Sequence, residues 1–73
     1  MSGLGVALFH TTSAALRAEK TLLKHAVPTK LVPTPREFSS DCGMALRFEW
    51  CRAEQVRTLL AEARVEIAGL HPL

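Results

Sequence analysis

The sequence predicts an α+β fold of four short strands and two helices in the order β-α-β-β-α-β. Three observations carry that expectation. Two stretches have apolar residues at helical spacing. One segment alternates apolar and polar residues strictly. Short apolar runs stand before the first helix and after each helix, where strands would complete two β-α-β units.

Gly5-Val6-Ala7-Leu8-Phe9-His10 is the first apolar run and reads as a buried strand. Thr11, Thr12 and Ser13 supply N-caps for a helix that continues through the good helix formers Ala14 to Lys24. Ala15, Ala18, Leu22 and Ala26 mark its inner stripe, with Leu16 and Leu23 beside it, while Arg17, Lys20 and Lys24 face water. Pro28 is the expected stop. Lys30-Leu31-Val32-Pro33 reads as a second strand, and the prolines at 33 and 35 confine it to a sheet edge.

Ser39-Ser40-Asp41 reads as a turn, and Gly43 permits a positive φ or a close backbone approach. From Cys42 onward, Met44, Leu46, Phe48 and Trp50 alternate with Ala45, Arg47 and Glu49, a strand with one apolar face. Arg52 to Arg64 forms the second helix, with Ala53, Val56, Leu59, Leu60 and Ala63 inward. Val65 to Leu70 is the expected last strand. The order matches the split β-α-β, or ferredoxin-like, plan: a four-stranded antiparallel sheet, strands one and three central, two helices on one face.

The chain of 73 residues, 48% apolar and 22% charged, is expected to be one domain over residues 1–73. A domain of this size buries only about 60% of its unfolded surface and leaves no room for a deep active-site cavity. No apolar stretch approaches the ~20 residues of a membrane helix. Met1 to Gly5 lacks the features of a signal peptide, so the expected location is cytoplasmic. The net charge of +2 is unevenly placed. Residues 1–36 hold five cations against one acid, a balance of +4, and residues 37–73 hold four against six, a balance of −2. That asymmetry suits an acidic partner or a small anion, and equally a solvated helix face.

The unusual residues gather in one stretch, from Pro33 to Phe48. Under the expected topology His10, the start of the first helix, Arg36 and Cys42 meet at one end of the sheet. The amides and partial positive charge of a helix start, with an arginine nearby, favour thiolate over thiol. Cys42 is therefore either a reactive thiol or a small residue packed beside a turn. The Asp41 carboxylate opposes thiolate formation, unless it caps the turn. Arg36 and Arg47 are candidates for anion or thiolate stabilisation, or for ion pairs with Glu37 and Glu49. His10 is a strand-end packing residue or a general base. Thr11 and Thr12 cap the helix, and their amides could bind an oxyanion. Cys51 lies about 25–30 Å from Cys42 along the strand, against roughly 7 Å for a disulfide, so the two do not bridge. Two cysteines without C-x-x-C, and three scattered histidines, make neither a dithiol redox site nor a zinc site.

Phe9-His10-Thr11-Thr12 leading into Ala15 to Lys20, then Pro33-Thr34-Pro35-Arg36-Glu37-Phe38-Ser39, then Cys42-Gly43-Met44-Ala45-Leu46-Arg47-Phe48, resembles the family of selenium/sulfur carrier-like proteins. The resemblance covers nearly the whole chain. It implies a carrier, more than an enzyme with its own turnover, whose Cys42 takes sulfur or selenium as a persulfide or selenopersulfide. Arg36, Gly43, His10, Thr11, Thr12 and Arg47 would be its supporting groups, with no cofactor beyond the transient atom. The donor would be an enzyme such as a cysteine desulfurase or selenocysteine lyase. The acceptor would be a selenophosphate synthetase or a thiolation enzyme. The alternative is a non-catalytic interaction module, docking a larger enzyme or a second copy through the open sheet face. A membrane partner is not expected. Nor is nucleic acid, since the third strand offers Ala45, Arg47 and Glu49 on its open face without an aromatic pair to stack bases.

Overall fold

The computed structural model describes residues 3–38 and 43–73. Within them the order is β1 (Leu4–Leu8), α1 (Thr12–Lys24), β2 (Thr29–Pro33), β3 (Met44–Glu49), a 3-10 turn (Trp50–Arg52), α2 (Ala53–Glu62) and β4 (Gly69–Pro72). The sheet runs β2-β3-β1-β4, antiparallel at every pairing, which is the expected ferredoxin-like arrangement with β1 and β3 central. β2 is an edge strand, as its prolines require.

Helix α1 starts where the threonines allow it. Thr11 is the N-cap, in extended conformation, and its Oγ1 accepts the Ala14 amide at 3.1 Å. The helix stops before Pro28. His25 is the C-cap, Ala26 turns into the left-handed region at φ 61°, and Val27 donates to the Leu22 carbonyl at 2.9 Å while Ala26 donates to Leu23 at 3.0 Å. These two bonds make a Schellman motif. Ala26 consequently lies exposed outside the helix instead of on its inner stripe, which consists of Ala15, Ala18 and Leu22.

Helix α2 ends the same way. Arg64 takes φ 58°, Val65 donates to Leu60 at 2.9 Å, and Arg64 donates to Ala61 at 3.1 Å. That ending displaces the last strand from its expected place at residues 65–70. Val65 is 5% exposed and completes the helix cap and the core, so the chain reaches the sheet edge only later. The first bond to β1 is Ala68 to the Leu8 carbonyl at 2.6 Å, and β4 proper is Gly69–Pro72.

Between helices and sheet lies a core of Ala7, Phe9, Leu22, Val27, Leu46, Phe48, Val56 and Leu60 with their smaller neighbours. Trp50 closes the end of this core and lies about 6.0 Å from Phe48, centroid to centroid. Its ring lies directly on Gly5, where an added Cβ would run into the indole and come within 3.1 Å of the His71 carbonyl oxygen.

The other sheet face is not fully open. Val6, Leu8 and Ala45 point away from the helices, yet they are 0%, 3% and 0% exposed. Phe38, from the connection between β2 and β3, packs over them together with Val32. The expectation of an open face holds only for the part of the sheet beyond this cover.

Replacing Ala26 or Arg64 with glycine relieves a left-handed side chain, and each should raise stability by about 0.5–1 kcal/mol. The check is a higher urea midpoint at unchanged denaturant slope. Gly5→Ala should lower stability by about 1–3 kcal/mol through the clash with Trp50, measured by the same titration.

Candidate functional site

Strand pairing determines what meets at each end of the sheet. Leu8 pairs with Ala45, and Pro33 with Met44, so the C-terminal ends of β1 and β2 lie at the N-terminal end of β3. The chain leaves β1 through Phe9 and His10 and enters α1 at Thr12, so the start of α1 lies at this same end. His10, Thr11 and Thr12 are exposed there, and Gly43 is exposed at the start of β3. The first turn of α1 contains no acid, so its partial positive charge is undiminished from within the helix.

The connection after β2 is held at its base by the Thr34 amide, which donates to the Gly43 carbonyl at 3.0 Å. Pro35 to Phe38 then forms a tight turn, with the Phe38 amide donating to the Pro35 carbonyl at 3.0 Å. Arg36 is exposed in this turn. The turn delivers Phe38 onto the second sheet face, where its ring stacks on His71 of β4 at 4.6 Å between centroids and 18° between planes. Ser39, Ser40, Asp41 and Cys42 lie outside the described residues.

His10, Thr11, Thr12 and Gly43 thus gather at one end of the sheet, with Arg36 on the connection that leaves it. Arg47 does not join them. It is half-buried on the second face, in a row with Lys30 and Val6. Four residues of strand put it about 13 Å from Gly43. There it lines, with Leu4, Pro28, Lys30 and Glu49, a shallow depression of about 210 Å³. Glu49 lies 3.6 Å from the Arg52 guanidinium across one turn. Cys51 is an exposed free thiol in the 3-10 turn, at the far end of β3 from Gly43, a strand length of about 20 Å.

Among the described residues no polar or charged residue is buried as a whole, although the Thr29 hydroxyl oxygen is buried without a hydrogen-bond partner, and no cluster of histidine, cysteine and acids could hold a metal. No helix among them is long and apolar enough to cross a membrane.

Phe38 and His71 were not identifiable as a pair by motif. The signal for them is the unbroken run Val6-Ala7-Leu8-Phe9. Four consecutive residues at 0–3% exposure mean a strand buried on both faces, so something besides the helices must cover it.

The family model described as "Putative Se/S carrier protein-like" matches residues 4–72. The chain belongs to this family. No curated protein and no solved structure is significantly similar to it. The match spans every strand and helix described above, and the connection between β2 and β3 that contains Cys42.

Lys30 and Arg47 are like charges directly opposite each other on adjacent strands, an unfavourable cross-strand pair. Lys30→Glu should convert it to an attractive one and stabilise the protein by about 0.2–1 kcal/mol at low salt. The gain should shrink as salt is added, which thermal unfolding across a salt series would read.

Proposed function

We propose that this protein carries a sulfur or selenium atom on Cys42 and hands it to an acceptor enzyme. The observation that carries the reading is family membership over residues 4–72, together with the Cys42-Gly43 pair in the motif-bearing connection. Support comes from where the neighbours of Cys42 lie. Gly43 stands at the end of the sheet where α1 begins with the exposed Thr11 and Thr12, with His10 at the same end and Arg36 on the same connection. Helix-start amides and an arginine favour the thiolate, the form that attacks sulfur and selenium.

The transfer needs no oxidant. The Cys42 thiolate attacks the terminal sulfur of a donor cysteine persulfide. A Cys42–sulfur bond forms, the donor's S–S bond breaks, and the donor cysteine leaves as thiolate. The proton stays on the transferred atom, giving Cys42–S–SH. A selenium atom moves by the same exchange and leaves Cys42–S–SeH. An acceptor thiolate then attacks the outer atom and releases Cys42 as thiolate. The partner chemistry fits a cysteine desulfurase or selenocysteine lyase as donor. It fits a selenophosphate synthetase or thiolation enzyme as acceptor.

A second reading is a module that docks a larger enzyme through the uncovered part of the second sheet face. It is favoured by Leu4 and Leu73, 42% and 57% exposed and joined by a 2.7 Å bond from the Leu73 amide to the Leu4 carbonyl. Beside Leu4 lie Lys30 and Arg47.

Intact-mass spectrometry after incubation with a lyase plus cysteine or selenocysteine separates the two. Loading of one sulfur or selenium, reversed by reductant and lost in Cys42→Ser, is the expected result. Undiminished loading of Cys42→Ser, or no loading of the wild type, would leave the docking reading.

A further inference from the structure

We infer that Lys30 and Arg47 form a binding site for a dianionic oxyanion, a phosphoryl group, on the second sheet face. The inference goes beyond the carrier reading and is independent of Cys42. The site is made of strand residues alone, and Arg47 stands about 13 Å of strand away from Gly43.

Strand register creates the site. The row that crosses the sheet here is Lys30, Arg47, Val6 and His71, one residue from each strand. Phe38 stacks on His71 and packs against the cluster of Val6, Leu8 and Ala45, so one half of the row is covered. The other half is the pair of cations, with Lys30 exposed and Arg47 half-buried. They stand directly opposite each other on adjacent strands, at a Cβ separation of about 4.5–5.5 Å. Among the described residues neither has a hydrogen bond or an ion pair. Glu49, two residues along β3 on the same face, is turned to Arg52 at 3.6 Å.

With Leu4, Pro28 and Glu49 the two cations line the depression of about 210 Å³. Sites for drug-sized molecules run to about 300–1,000 Å³, so this one takes a single charged group and not a whole cofactor. Charge and donor geometry choose the group. Two like charges held together repel, and an anion between them replaces that repulsion with two attractions. A carboxylate would leave one positive charge over. A phosphate monoester at neutral pH carries about −1.5 to −2 and three strong acceptor oxygens. The Arg47 guanidinium can take two of those oxygens with its planar fork, and the Lys30 ammonium meets the third as a point charge.

The test is a proton–nitrogen NMR titration of the labelled protein with sodium phosphate at about pH 7.5, where the dianion dominates. Ionic strength is held constant with sodium chloride, which cancels the screening that any salt provides. The expected result is a saturable shift of the Lys30 and Arg47 amides, with a dissociation constant on the order of 1–10 mM. Lys30→Gln and Arg47→Gln should each weaken binding about tenfold, and Arg47→Lys about threefold, since it keeps the charge and loses the fork. Arg57→Gln removes the same charge from an exposed position on α2 and should leave binding unchanged. Acetate should bind about tenfold more weakly than phosphate. Phenyl phosphate separates the sources: tighter binding, through Leu4 and Pro28, supports a phosphate ester, and equal binding supports the free ion. Shifts that do not saturate, acetate matching phosphate, or undiminished binding in Lys30→Gln and Arg47→Gln would each overturn the proposal. Lys30→Gln removes an exposed cation from a repelling pair, so it stays informative should an Arg47 variant fail to fold. Sulfur loading is read by mass on Cys42 and phosphate binding by shifts on β2 and β3, so either reading can fail alone.

Discussion

A four-stranded sheet with helices on one side has a second face to protect, and the structure depends on how that is done. β1 is the strand most affected. It lies between β3 and β4 and is buried above and below, from Val6 through Phe9. The helices bury Ala7 and Phe9, and the connection carrying Phe38 buries Val6 and Leu8. Covering one large apolar side chain contributes about 1.5–3 kcal/mol, and an aromatic pair adds about 0.5–1.5 kcal/mol. For a domain this small those are large shares of a net stability of about 5–15 kcal/mol. The connection between β2 and β3 is therefore, through Phe38, also part of what holds the sheet.

The helix ends show a second constraint. Both helices stop at a Schellman motif whose left-handed position is filled by alanine or arginine, where glycine is usual. In each case the following valine enters the core, Val27 at 0% and Val65 at 5% exposure. Anchoring that valine outweighs the backbone cost of the residue before it. The same device explains why the second crossover needs residues 66–68 before β4 can pair. It also places Gly69 opposite Leu8 and His71 opposite Val6, which is what creates the seat for Phe38.

Much of the fold was legible because its signals are periodic. The alternation from Met44 to Glu49, the helical spacing of Ala15, Ala18 and Leu22, and the prolines of β2 each pointed to the observed element. Ala26 reads as part of the inner stripe because Pro28 looks like the stop, whereas a left-handed alanine directly after the C-cap His25 carries no sequence mark. The same unmarked turn at Arg64 shifts the last strand from the expected Val65–Leu70 to Gly69–Pro72. At the candidate site, topology alone predicts that His10, the start of the first helix, Arg36 and Cys42 meet at one end of the sheet. The structure puts His10, Thr11 and Thr12 at the end where Gly43 leads into β3, and Cys42 lies outside the described residues. Arg47 was readable as an open-face residue, and the structure keeps it there, away from the loop. Phe38 and His71 escaped because their meeting depends on tertiary register, which only the doubly buried run in β1 hinted at.

The stack of Phe38 on His71 also bears on how the chain reaches its native state. β2 and β3 are the strands joined by a direct connection, while β4 must find β1 from the opposite end of the described chain. Contacts of such sequence separation must offset a larger loop-closure entropy before they form. Until β4 docks, His71 is not in place to receive Phe38, and Val6, Leu8 and Ala45 form a bare apolar strip across two adjacent strands. A chain with β4 undocked would expose both that strip and the unpaired edge of β1, the features by which strands self-associate. Docking of one short edge strand thus covers two liabilities at once, the free edge of β1 and the apolar strip beneath Phe38.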